Sequence, residues 1–510
     1  MTDDLVGLLR HAATAWPDKD AWVFDETGER VTFADLAERV ESLAAALHAV
    51  GVRADDRVAV MLDNRPEFPL LWLALARLGA VLVPVNTNYR ELDGEHVLAH
   101  SGARFAIGAE RFVELLTTIA PRTSVERVLT PEELAAITGE APPPYQVAPE
   151  RPTNIQYTSG TTGAPKGCVL PHRYWTTLAH GLVSQFPNIS ADDTLLTAQP
   201  FHYIDPQWNV ALGLASGATL VVLDRFHPST FWEKVREYEV TWFYCLGLMP
   251  TLLLRMPPSE ADRDHRVRAV CASAIPKDLH AELERRWGAP WYEAFGMTET
   301  GGDIRMYPED HDRCVGTGCL GRPAPGREVM IADDAGRPVP RGTEGELLIR
   351  GVGLMHGYHD DPEATAKAFR GGWFRTGDVA RMDGDGLVYY VGRTKDMIRR
   401  SGENIVADEV ERALQLHPAV RTAAVLGVPD ELRGEEVKAL VVLADGHEVT
   451  PDELAEHCGT KLAYFKVPRY WAFVDSLPLT ASERVAKGEL RKAGADAPKD
   501  SYDRVEQRWR

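Results

Sequence analysis

Between Tyr157 and Gly167 the chain reads YTSGTTGAPKG, a run of hydroxyls and glycines ending in Lys166. Such a loop suits the cradling of phosphates, because small residues let successive backbone N–H groups converge on an anion. Taken alone such a loop could also be a flexible linker, the weaker of the two readings. A second run, PLTASERVAKGELR from Pro478 to Arg491, carries the cations Arg484 and Lys487. A third, WFRTGDVARMDGDGLVYYVGRTKDMIRRSGENI from Trp373 to Ile405, contains Asp378 directly after Gly377. An aspartate there either shapes a turn or, as an ionised carboxylate, accepts two hydrogen bonds from a ligand.

These segments need a large scaffold. The 510 residues exceed one ordinary core and predict two or more domains, and 44% hydrophobic content is that of a folded chain. A formal net charge of -19 argues against nucleic acid as a partner, since phosphate-backbone binding needs a basic face, so anionic ligands must be met locally. The start, MTDDLVGLLRHAATAWPDKD, lacks the basic and apolar regions of a signal peptide, and a cytoplasmic location is expected. The apolar stretch Leu70 to Val85 is interrupted by Arg77 and Gly79, so no membrane span is expected. The six cysteines show no zinc spacing; His311, Cys314 and Cys319 lack an evident fourth ligand and read as ordinary residues with reduced thiols.

In the first half, β-rich runs alternate with helical patterns. RVAVML (57–62), a helix around 70–78 and AVLVPV (80–85) form a β-α-β unit, and ATLVVL (218–223), a helix over 229–238, TWFYCL (241–246) and VRAVCAS (267–273) continue the pattern. Parallel sheets covered by helices are predicted. From about Arg327 the texture changes to short strands and tight turns, as in EGELLIRG (344–351) and DGDGLVYYVG (383–392). After Arg393 a helix over 407–417, strands over 423–428 and 437–443 and a basic end suffice for a small α+β domain. The expected boundaries are 1–393 for the large domain, 394–396 for a hinge and 397–510 for the small domain.

With YEAFGMTETGG (292–302), these motifs stand in an order that resembles the adenylate-forming ANL superfamily of acyl-CoA synthetases, peptide-synthetase adenylation domains and luciferases. The resemblance runs from about Leu9 to Arg491. It implies an α/β fold whose large N-terminal domain combines parallel α/β sheets with a distorted β-barrel, and whose small α+β C-terminal domain is mobile. It implies phosphate binding by Thr158, Ser159, Gly160, Thr161, Thr162, Gly163 and Lys166. Thr298 would contact the α-phosphate or acyl group, and Glu299 would hold magnesium. Phe295 would stack near adenine, Asp378 would accept both ribose hydroxyls, and Arg393, Ala272, Ser273 and Gly296 would complete the nucleotide site. Lys395 would sit at the hinge, with Gly402 and Arg433 along the path of the CoA pantetheine arm.

PFHYID (200–205) looks like the acyl-CoA synthetase form of the motif, with His202 where amino-acid-activating domains usually carry an aspartate. His202, Tyr203, Gly247, Met249 and Ala274 are the expected acyl pocket, mixed apolar and small, which suits a hydrophobic carboxylic acid. GVPDELRGEEVKALVVL (427–443) reads as the CoA-ligase C-terminal domain, and with no carrier domain after Arg510 free CoA is the expected acceptor. The expected activity is therefore formation of an acyl-CoA thioester from a carboxylic acid, ATP and CoA through an acyl-adenylate.

One departure stands out. The closing loop of the family follows roughly P-x-T-x-x-G-K-V-x-K-x-x-L-R, and this chain matches at Pro478, Thr480, Val485, Lys487, Leu490 and Arg491 without a gap. The catalytic lysine thus falls on Arg484 and the preceding glycine on Glu483. Arginine keeps the charge but replaces a compact ammonium with a broad planar fork. Three readings remain open at this point: a ligase whose adenylating half is weakened or lost, fed by an acyl-adenylate from a partner enzyme; a complete ligase in which Arg484 suffices or Lys487 swings in; and a non-catalytic acyl-adenylate binding protein.

Overall fold

The structure, a computed structural model, describes residues 2–146, 148–158, 165–247, 249–393, 396–400, 403–431, 433–462, 464–480 and 485–510. It contains three sheets. The first, of six strands, runs Arg127–Leu129, Phe105–Gly108, Arg57–Met61, Val81–Pro84, Pro152–Thr158 and Lys166–Pro171. Its first five strands are parallel, and the last pairs antiparallel with its neighbour as a hairpin. Strands such as Val81–Pro84 and Phe105–Gly108 are buried at every position, which is why they read as continuous apolar runs. The intervening helix Glu67–Leu78 is buried around nearly its whole circumference and stops at Gly79, whose φ of 73° closes the helix in the left-handed conformation.

The second sheet changes character along its length. Asp20–Phe24, Thr219–Val222, Thr194–Thr197, Trp242–Leu246, Ala269–Ser273 and Trp291–Met297 are parallel neighbours. From Gly301–Arg305 onward the pairing is antiparallel, through Cys319–Pro323, Val388–Arg393, Trp373–Met382, Glu344–Gly351 and Arg327–Ala332. These last six strands share one core, with Ile304, Leu320, Ile331, Leu347, Ile349, Ala380 and Val388. The expected barrel is thus present as a group of strands around its own core, joined edge to edge to the parallel sheet.

Helices packed between the first two sheets weld them into one large domain. Trp72 and Trp175 meet edge to face at 4.9 Å, and Phe68 stacks on Phe201 at 5.3 Å. Their polar edges are satisfied, Trp72 Nε1 donating to Asn154 Oδ1 at 2.8 Å and Trp175 Nε1 to Thr153 Oγ1 at 2.9 Å. The third sheet is built from Met397 onward and has a separate core including Ile405, Val410, Val425, Val441 and Trp471. The helix predicted over 407–417 is Ala407–Gln415, and the predicted strands extend to Val420–Asp430 and Gly434–Leu443. Two short pairings near the end, Tyr502–Asp503 and Arg508–Trp509, carried no sequence signal. Among the described residues no helix is long and apolar enough to cross a membrane. The six cysteines are unpaired and buried, and His311 turns to Glu284 at 2.6 Å.

A buried ion pair fastens the point where parallel pairing gives way to antiparallel. Arg327 Nε lies 2.9 Å from Asp303 Oδ1, Nη2 donates to Thr300 O at 2.7 Å, and Nη1 donates to Val352 O. Thr300 Oγ1 donates to the other Asp303 oxygen. Both charged side chains are almost wholly out of water. Removing one partner leaves the other charge buried alone, at a cost of about 3–5 kcal/mol. Arg327→Ala is expected to lower stability by that amount in urea unfolding; a loss below about 1 kcal/mol would show that the joint does not depend on the pair.

Candidate active site

The strand ends and the third sheet face a cleft of about 2610 Å³. One wall is the hairpin Pro152–Thr158/Lys166–Pro171, in which Thr158 and Lys166 are register partners at the open end. Ser159, Gly160, Thr161, Thr162 and Gly163 lie outside the described residues. Two histidines brace the hairpin, His100 Nδ1 at 2.7 Å from Tyr157 Oη and His96 Nε2 at 3.1 Å from Pro165 O. Lys166 Nζ sits 4.9 Å from the centre of the Tyr358 ring, and Tyr358 donates to Glu299 Oε1 at 3.0 Å. Burial raises the pKa of Glu299, opposed by the Tyr358 bond and the charges of Arg393 and Lys166. A cation brought to this carboxylate would favour its ionised form. Thr298, one residue earlier, also lines the cleft.

A second wall comes from the antiparallel strands. Asp378 and Arg393 are cross-strand partners, with Nε 3.2 Å from Oδ1, and the Asp378 N–H is held by Thr376 Oγ1 at 3.0 Å. Phe295 and Gly296 line the same region. Gly296 has a packing reason to be glycine, since a Cβ there would lie 1.9 Å from Gly301 O. The strand Ala269–Ser273 alternates as strands must. Cys271 and Ser273 line the cleft, whereas Ala272 is fully buried in the core on the other face with Val270 and Leu283, so its side chain is not part of the nucleotide site. Ser273 Oγ donates to Ala294 O at 2.6 Å and lies 2.5 Å from Tyr244 Oη.

At the acyl end, His202, Tyr203, Gly247, Met249 and Ala274 all line the cleft. His202 is 4% exposed, and neither ring nitrogen has a hydrogen-bonding partner among the described residues. Burial drives its pKa down to about 3, so the imidazole is neutral. Ala274 takes a positive φ of 68°, and the turn is clamped by Glu293, which accepts Ala274 N–H at 2.7 Å and Ile275 N–H at 2.9 Å. Glu293 lies inside the string 292–302 but was given no role there, and Tyr358 and Arg305, which also line the cleft, lie in none of the motifs.

The small domain supplies the remaining wall. Lys487 is buried among carboxylates, its Nζ 2.8 Å from Glu411, 3.2 Å from Asp408 and 3.9 Å from Asp396. Asp396 also accepts from Arg491 at 3.0 Å. Arg433 does not line the cleft; it donates to Glu436 Oε1 at 2.6 Å, the carboxylate that also takes Arg400 at 2.7 Å. Arg484, Lys395 and Gly402 lie outside the described residues.

This arrangement sets Thr158 and Lys166 on one wall, a buried Asp378–Arg393 ion pair on another and a largely apolar recess in one cleft, and similarity to known proteins agrees with it. The AMP-binding enzyme family matches residues 9–359, and the AMP-binding enzyme C-terminal domain matches 409–484. A feruloyl-CoA synthase from Amycolatopsis sp is 36% identical over 91% of this chain and 94% of its own. A crotonobetaine/carnitine–CoA ligase from Proteus mirabilis (strain HI4320) is 31% identical over 96% of this chain and 100% of its own. Among solved structures, o-succinylbenzoate CoA synthetase from Bacillus subtilis with its acyl-adenylate superposes with a TM-score of 0.86 at 28% identity, covering 95% of this chain and 97% of that one. ATP-bound MatB from Rhodopseudomonas palustris gives 0.86 at 28% identity, with 97% and 99% covered. The chain belongs to the AMP-binding enzyme family, within which it is an acyl-CoA synthetase working through an acyl-adenylate and using ATP and CoA.

Two outcomes follow from the geometry. Asp378→Ala is expected to weaken AMP binding by roughly 1.5–3 kcal/mol for each charge-assisted hydrogen bond lost; calorimetry giving unchanged affinity would remove Asp378 from the ribose site. Burial raises the pKa of Glu293 to about 8, against the two N–H bonds that lower it. A group raised in the folded state adds stability that is complete below its unfolded pKa and is lost as pH rises through the folded one. Thermal melts should therefore fall between about pH 4.5 and 8 by more in wild type than in Glu293→Gln; parallel curves would mean that Glu293 titrates normally.

Proposed function

We propose that this enzyme joins a carboxylic acid with a mainly apolar body to free CoA, and that Arg484 makes the ATP-dependent half its slow step. In the first half the substrate carboxylate attacks the α-phosphorus of ATP, the bond to the bridging oxygen breaks, and pyrophosphate leaves. In the second the CoA sulfur attacks the acyl carbon, AMP leaves, and the thiol proton passes to solvent. Thr158, Lys166 and the loop between them would hold the phosphates, Asp378 and Arg393 the ribose, Phe295 and Ser273 the adenine side, and Thr298 the reacting phosphate. Glu299 fits a magnesium ligand, being a buried carboxylate beside the phosphate wall whose pKa burial has raised; bound there, magnesium would neutralise phosphate charge. Neutral His202 suits a gate or donor toward the acyl group. We place the hinge at 394–396, between a large domain of 1–393 and a small one of 397–510, with Gly402 beside the pantetheine arm.

The observation that carries the reading on Arg484 is the position of Lys487. That lysine is already engaged by Glu411, Asp408 and Asp396, and pulling it away would leave the largely buried Glu411 without its cation. This counts against Lys487 as a replacement and leaves Arg484 as the loop cation for adenylation. Losing a well-placed charge stabiliser typically costs about 10²–10³ in rate. A chain that had lost this half altogether would depend on a partner enzyme for its acyl-adenylate.

Pyrophosphate release and thioester formation separate the two halves. Arg484→Lys, with Glu483→Gly, is expected to raise pyrophosphate release by about 10²-fold while thioester formation from preformed acyl-adenylate changes little. If wild type already adenylates briskly and the substitution slows it, Arg484 is a working substitute and the enzyme is an ordinary ligase. A protein that binds acyl-adenylate yet performs neither half is a binding protein.

A further inference from the structure

Arg305, at the end of strand Gly301–Arg305, lines the cleft and has no role in the chemistry above. It is 9% exposed. Its Nη1 donates to Gly181 O at 3.2 Å and Phe186 O at 2.9 Å, at the end of helix His172–Ser184. Nε and Nη2 have no partner among the described residues, and no described carboxylate approaches the guanidinium within 4.0 Å. The titratable groups that act on it are Tyr307 and Cys271, uncharged at neutral pH, and Arg327, of like sign, while burial pulls its pKa down. Asp303, two residues earlier, is committed to Arg327.

A guanidinium taken out of water without a counter-ion is costly, and this chain has 75 acidic residues from which a partner could have come. The surrounding cleft wall is apolar, with Leu178, Leu182, Phe186 and Pro187. Resting on the ligase reading, we propose that Arg305 binds a second carboxylate at the far end of the substrate, so that the acid activated here is a dicarboxylic acid with an apolar body. Arginine suits this task because its planar fork can present two parallel N–H donors to one carboxylate. A substrate ending in a quaternary ammonium would meet a like charge and is disfavoured.

The test compares matched acids on the intact enzyme: terephthalate with benzoate, and adipate and suberate with hexanoate and octanoate, supplied with ATP and CoA and also as synthetic adenylates with CoA. Wild type is expected to prefer the diacid of at least one pair by about 10²-fold in kcat/KM, and Arg305→Met to abolish that preference by losing the diacid while keeping or improving the monoacid. Arg305→Lys should retain part of it. If wild type handles monoacids better throughout, or if Arg305→Met slows both classes equally and lowers the melting temperature, Arg305 only caps the helix and the inference fails while the ligase reading stands. If no acid and no adenylate yields a thioester, the ligase reading itself has failed, and the inference with it.

Discussion

The joint between Asp303 and Arg327 holds the rest of the site in place. Trp291–Met297 pairs parallel with one neighbour and antiparallel with the next, so the chain must reverse between Met297 and Gly301, and the carbonyls of that tight turn need donors. Arg327 resolves this by donating to Thr300 O and Val352 O while neutralising Asp303. The turn so fixed carries Thr298 and Glu299, and the strand that leaves it carries Arg305. The neighbouring antiparallel strands bring Asp378 and Arg393 to the same cleft. A buried ion pair adds little net stability against an apolar substitute, and its use here is to define a single geometry.

Electrostatics within the cleft follow from how the cations are committed. In a chain of net charge -19, Lys487 belongs to Asp396, Asp408 and Glu411, Arg393 to Asp378, and Arg433 and Arg400 to Glu436. Lys166 lies over an aromatic ring that hands its hydroxyl to Glu299, and Arg305 lies against backbone carbonyls. Lys166 and Arg305 are thus cleft-lining cations without a carboxylate salt bridge among the described residues, and Arg305 is the more deeply buried of the two. His202, which lines the same cleft, is neutral through burial alone and leaves the charge balance unchanged.

Much of this was legible from residue order. The fully buried parallel strands announced themselves as unbroken apolar runs, because a strand covered on both faces has no reason to alternate. YTSGTTGAPKG, the glutamate-bearing turn and Asp378 were legible because their chemistry depends on a local string. Arg484 was conspicuous for the same reason, in a loop whose flanking residues leave no freedom of register. The side-chain direction of Ala272 was not legible, because a motif names neighbouring residues together, while a strand sends alternate side chains to opposite faces.

Local order in the chain thus determined the family and the plan of a large α/β domain with a small α+β domain after it, and it named candidate nucleotide-site residues, since each depends on neighbours a few positions apart. Only the tertiary structure decided which charges are already spent. That Lys487 is held by carboxylates from 396, 408 and 411, that Glu293 clamps a turn 18 residues upstream, and that Arg305 lines the cleft against backbone carbonyls of 181 and 186 with no carboxylate beside it among the described residues are all matters of distant segments brought together. The physical reason is that a charge is defined by what surrounds it after folding, and no spacing along the chain records the partner that is missing.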